Sequence, residues 1–170
     1  VVDRLNAGGV STRPVRTIAE ILAELQSDDR LLLVADALHA APGQYRAIAN
    51  APAPALLAAP DGPTTLAFER IDAAARWGGL ALLPATLVAE NSDIPADWDV
   101  GSTLLRSAVQ ANALRIAVDP TLFERGEIAI VADPATANAV ETRLLQNIPF
   151  SGDGTGQWLF FAPLARLIGP

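Results

Sequence analysis

The chain has 170 residues, with 19 acidic against 12 basic side chains and a net charge of −7. That length supports one domain with a real core, and the lack of any Cys excludes a disulfide framework, a cysteine nucleophile and thiolate metal sites. Lys is also absent, which removes a phosphate-loop or Schiff-base lysine, and the acidic balance argues against a nucleic-acid or anionic-lipid surface.

From the N-terminus, Thr17-Ile18-Ala19-Glu20 reads as a capping box opening a helix whose inward face carries Ile18, Ile21, Leu22 and Leu25. Residues 31–35, Leu-Leu-Leu-Val-Ala, form a wholly apolar run. Such a run suits a central strand covered on both faces, as in a parallel sheet. A short helix over 42–50, a short strand over 55–58, a turn at 61–63 and a strand over 64–68 follow. Residues 78–83 form a further apolar strand, and 84–90 a helical turn or two. Residues 97–112 predict a helix with Leu104, Leu105, Ala108 and Val109 facing inward. Two strands, 114–118 and 127–132, are separated by a turn around Asp119-Pro120. Asp133-Pro134 starts a last helix with a carboxylate cap and Pro in the first turn, running to about Asn147 and burying Val140, Leu144 and Leu145.

The expected fold class is α/β: a single three-layer domain with a mostly parallel, mixed-edge sheet flanked by helices. It occupies residues 1–150, and residues 151–170 form a Gly-rich connector and an apolar segment that packs on the domain or on a following one. The chain contains no Met, which marks a processed product or a fragment of something longer, and no signal peptide is visible. The longest uncharged stretches, 47–60, 77–89 and 154–165, are each broken by Pro and short of the roughly 20 residues a spanning helix needs.

Asp36 is the foremost candidate. It directly follows the strand at 31–35, and ligands of open α/β sheets gather outside the carboxyl ends of strands, so its carboxylate suits a divalent cation or a substrate hydroxyl. Asp97-Trp98-Asp99 has the spacing of a metal-holding acidic pair, but its place before a helix favours a capping role. Asp72 beside Arg70 and Arg76 reads as a surface ion-pair cluster. Gly152-Asp153-Gly154-Thr155-Gly156 lacks the Lys of a phosphate loop and reads as a connector. His39, the one histidine, reads as a solvated or capped loop residue, and Ser102 and Ser107 have no neighbouring histidine to activate them.

Ala7-Gly8-Gly9-Val10-Ser11-Thr12-Arg13 resembles the triphosphate-cradling loop of GT-A-like nucleotidyltransferases such as those of molybdenum-cofactor synthesis, although Pro14-Val15 follows where that family has small residues and then a Lys. A helix end leading into a strand is the preferred reading of this string. Over residues 16–147 the pattern also resembles that family's core, through the strand ending at Asp36 and the segment Trp77-Gly78-Gly79-Leu80. More narrowly, Phe68-Glu69-Arg70-Ile71-Asp72 with Trp77-Gly78-Gly79-Leu80, and Trp98-Asp99 ahead of Ser102-Thr103-Leu104-Leu105-Arg106, resemble the domain fused to bacterial CDP-alcohol phosphatidyltransferases. The resemblance implies a GT-A/Rossmann-like fold truncated at its N-terminus, on the cytoplasmic side, preceding a membrane-embedded transferase. It implies formation or handling of a CDP-alcohol from CTP and an alcohol phosphate for phospholipid synthesis, with Mg²⁺ held partly by Asp36. A degenerate domain that has lost the triphosphate loop, and a non-catalytic binding or scaffolding α/β domain, both stay open.

Overall fold

The computed structural model describes Gly9 and residues 12–95 and 97–146. The connector and apolar segment expected at 151–170 lie outside the described residues, as does most of the Gly8-Gly9 loop.

Two short β ladders carry the fold. Strands β1 (Arg30–Val34), β3 (Ala55–Pro60), β4 (Ala75–Pro84) and β5 (Leu114–Ala117) form a sheet in the order β1-β4-β3-β5. Strands β2 (Leu38–Ala40) and β6 (Ile128–Ile130) form a separate antiparallel pair. Between them run helices α1 (Ile18–Leu22), α2 (Pro42–Ala49), α3 (Ala85–Ala89), α4 (Val100–Gln110), α5 (Pro120–Glu124) and α6 (Pro134–Gln146), with one 3₁₀ turn at Pro63–Thr65.

The α/β class holds, but the expectation of a mostly parallel sheet is corrected. β1 and β3 both run antiparallel to β4, and only the β3–β5 pair is parallel. The strand at 31–35 is also not central. β1 lies at the edge, three of its five residues exposed in alternation, while β4 and β3 carry the two-sided burial that its apolar run suggested. A wholly apolar run thus fixes neither coverage on two faces nor strand direction: β1 carries one and is open on one face.

Along β4, Ala81 and Leu83 enter one core with Leu56, Leu87, Leu104 and Leu105, whereas Leu80 and Leu82 enter another with Ile48, Leu57, Phe123 and Ile128. The strand period of two thus sorts one apolar run into two cores. Helices α1, α3 and α4 pack on one face and α2 and α5 on the other. Within the second core the rings of Phe68 and Phe123 meet edge to face at 5.3 Å.

Local signals set the helix starts. Thr17 and Glu20 close the capping box reciprocally, Glu20 N–H donating to Thr17 Oγ1 at 3.2 Å and Thr17 N–H to Glu20 Oε2 at 3.3 Å. Asp133 caps α6 by accepting from Thr136 N–H at 2.8 Å. The same Asp-Pro signature at Asp119-Pro120 starts α5, where a turn was expected; Asp119 Oδ1 accepts from Thr121 N–H at 2.9 Å.

Three further expectations change. Residues 64–68 are a 3₁₀ turn and loop rather than a strand, because the Thr65 hydroxyl donates back to the Pro60 carbonyl at 2.7 Å and folds the chain on itself. Residues 38–40, assigned no strand, pair with β6. On α6, Val140 is buried but Leu144 is only half-buried and Leu145 is 55% exposed.

Candidate functional site

A tight turn places Asp36. The Ala35 carbonyl accepts from Leu38 N–H at 3.2 Å, reversing the chain from β1 into β2. Ala37 at its centre holds φ +54°, a left-handed conformation that costs an L-residue roughly 1–2 kcal/mol. Asp36 Oδ1 accepts from Ala37 N–H at 2.9 Å, which leaves its second carboxylate oxygen for another partner.

Beside this turn lies a cleft of about 380 Å³ whose polar lining includes Asp36, Glu69, Asp99 and Ser102. Its apolar walls include Val34, Phe68, Trp77 and Ile130. The expectation that Asp36 faces a cleft at the end of its strand therefore holds, although the strand is an edge.

Glu69 reaches the cleft because residues 69–77 form a narrow loop pinned to the start of β4. Trp77 N–H donates to the Glu69 carbonyl at 2.7 Å, and Arg70 bridges Arg76 in antiparallel fashion. Asp99 arrives as the N-cap of α4, its Oδ1 accepting from Ser102 N–H at 2.6 Å. The capping role expected for the Asp97–Asp99 pair is thus fulfilled by Asp99. Ser102 Oγ donates to Glu69 Oε2 at 3.0 Å and ties the α4 N-terminus to the 69–77 loop. Ser102, to which the sequence assigned nothing, is therefore a member of the site; its signal was its place three residues after a capping Asp.

The cleft is acidic and no Arg is among its lining residues. Arg70 Nη2 donates to Asp61 Oδ2 at 2.7 Å, and Arg76 Nε to Asp61 Oδ1 at 2.5 Å. The Arg76 hydrogen bond, reinforced by both guanidinium charges, holds the Asp61 carboxyl below its ordinary range. Asp72 is not their partner, contrary to the cluster expected from sequence. It accepts from Ala74 N–H and pairs with Arg115 of β5, and these bonds lower its pKa in that order of weight.

The remaining candidates lie elsewhere. His39 sits on β2 opposite Ala129 and faces a groove along α6, away from Asp36's cleft. Ser107 donates to Asn91 Oδ1 at 2.7 Å in a structural contact between α4 and the turn after α3. Trp77 is 6% exposed and its indole N–H is buried without a partner among the described residues.

The hard oxygen donors in the cleft suit Mg²⁺ chemically. Among the described residues no three Asp, Glu, His or Cys side chains converge closely enough to hold a metal unaided. Mg²⁺ takes one or two carboxylates and completes its shell with water and phosphate oxygens, so a partial donor set fits it. Among the described residues, no helix is long and apolar enough to cross a membrane.

Comparison of the chain with protein-family models, with curated proteins and with solved structures finds no match.

Proposed function

We propose that this chain is a nucleotidyltransferase-like domain of the kind fused to CDP-alcohol phosphatidyltransferases, with a GT-A-like ancestry. Its cleft would handle a CDP-alcohol, or the CTP and alcohol phosphate from which one is made. One observation carries the reading. Asp36, Glu69, Trp77, Asp99 and Ser102 come from four separate stretches of sequence, each of which bears the resemblance, and all line one cleft. A following membrane-embedded transferase and a place on the cytoplasmic face of the membrane belong to the same reading.

In this reading a phosphate oxygen of the alcohol phosphate attacks the α-phosphorus of CTP, the bond to the bridging oxygen of the β-phosphate breaks, and pyrophosphate leaves. Asp36, with Glu69 or Asp99, would hold Mg²⁺, which when bound offsets charge on the phosphoryl oxygens. Ser102 keeps Glu69 aligned, and the turn at Ala37 fixes Asp36. The chain's own contribution is positioning and electrostatics, with no covalent intermediate.

A second reading, a degenerate or scaffolding domain without catalysis, is favoured by the missing cations. No Arg lines the cleft, and the nearby Arg70 and Arg76 are engaged by Asp61, so a triphosphate meets carboxylates without a counter-charge. The test is incubation with α-labelled CTP, glycerol phosphate or inositol phosphate, and Mg²⁺, alongside calorimetry of each component. CDP-alcohol formation that Asp36→Asn abolishes supports the enzyme. Weak Mg²⁺-dependent nucleotide binding, lowered by Asp36→Asn and without turnover, supports the degenerate domain. No binding of CTP, CDP-glycerol or either alcohol phosphate would overturn the nucleotide reading altogether.

A further inference from the structure

Helix α6 ends the described chain with its apolar face unfinished. Ala137, Val140, Leu144 and Leu145 occupy positions i, i+3, i+7 and i+8, the spacing of one inward-facing stripe. Val140 is buried, yet Leu144 is half-buried and Leu145 is 55% exposed. Against this stripe lies a groove of about 520 Å³, walled on the other side by His39 of β2 and by Val131 just after β6. Its lining is apolar apart from His39 and Glu141.

We propose that this groove is the docking site of the chain's own residues 158–168. The chemistry of that segment matches the groove. Trp158, Leu159, Phe160 and Phe161 are consecutive, and residues 154–165 carry no charge. Such a stretch loses free energy by leaving water, and the exposed flank of α6 gains by being covered. Arg166 supplies the charge opposite to Glu141.

Reach and connection favour this occupant over a second copy. The eleven residues 147–157 separate Gln146 from Trp158, and fully extended they span about 40 Å. The groove begins on the very turn of α6 that carries Leu144 and Leu145, so the tether is more than long enough to double back. Gly152, Gly154 and Gly156 within it permit the reversal, since Gly adopts left-handed conformations freely. A tether of eleven residues presents its segment at an effective concentration in the millimolar range, far above a dilute second copy.

The test uses the full chain, which has no native Cys. A nitroxide on Gly169→Cys, beyond the segment, should broaden the methyl resonances of Val140, Leu144 and Leu145. The broadening should persist undiminished when labelled chains are diluted tenfold into unlabelled, isotopically silent chain. Leu145→Glu, at a site already open to solvent and therefore compatible with folding, should reduce the relaxation enhancement at Val140 and Leu144 severalfold. Broadening that fades on dilution would assign the groove to a second copy and overturn the proposal. Methyl resonances on α6 that stay sharp would also overturn it, and binding of that same chain to phosphatidylcholine–phosphatidylglycerol vesicles would then assign residues 158–168 to a lipid surface.

Discussion

β1 and β4 are both apolar runs, side by side and hydrogen-bonded, yet they live in different environments. β4 is paired on both edges and buried on both faces, while Leu32 and Val34 of β1 are 38% and 44% exposed. The difference comes from position in the sheet. A central strand is covered by two cores, and an edge strand outruns the helix layer on one face. Residues on β1's covered face, Leu31 and Leu33, pack against the first core, whereas Leu32, opposite the nearly buried Leu82, extends the second core past its cover. An apolar edge is a template for further pairing, so the less buried strand is also the more sociable one.

The widest separation between the two strands should come from truncating a β4 side chain. Leu83→Ala, at a site with no exposure, should lower the unfolding free energy by about 2–5 kcal/mol, read from urea melts. An effect below that of Leu32→Ala would erase the distinction between central and edge strand.

Gly79 tests the seam between the strands. Its φ is +88°, a Cβ there would lie 2.6 Å from Leu38 Cδ1, and its carbonyl accepts from Ala35 N–H at 2.8 Å. Gly79→Ala should therefore cost about 1–3 kcal/mol and loosen the turn that presents Asp36. Faster amide exchange at Ala35 would be the local signature, and unchanged exchange there would argue against coupling.

Asp99→Ala removes the α4 cap next to the end of β1 and should cost about 1 kcal/mol in thermal melts. Asn at the same position should recover most of that loss, because it caps comparably. Leu32→Thr on the open face of β1 should change stability by less than about 1 kcal/mol while lowering any self-association seen by light scattering.

At neutral pH the smallest change should follow Asp61→Asn, which keeps an acceptor for Arg76 and gives up a solvent-open ion pair with Arg70 where the end of β3 meets the start of β4. Its effect is directional in pH. Because folding lowers the Asp61 pKa, wild type should exceed the variant in stability above the unfolded carboxylate value of about 3.9, and that advantage should vanish as pH falls through the folded value. Parallel stability curves down to strong acid would show that the Arg70 and Arg76 contacts contribute nothing.

The sequence by itself determined what a few neighbouring residues settle. Thr17 with Glu20, Asp99 with Ser102, and Asp133 with Pro134 are caps complete within four residues, so their helices were legible before any tertiary contact. Where local signals compete, legibility fails: Asp119-Pro120 carries the same cap yet equally suits a turn, and the alternation of 64–68 yields to the Thr65 hydroxyl. For the site, Asp36 was legible because a carboxylate at the end of an apolar strand is a local pattern. That Glu69 and the Asp99–Ser102 cap meet beside it carries no local mark. Only the tertiary structure decided that β1 is an edge, that β4 runs antiparallel to both its partners, and that those side chains share a cleft. Strand order and direction depend on pairings such as Val34 with Leu80, forty-six residues apart, and the free energy of such pairing is stored in neither segment alone.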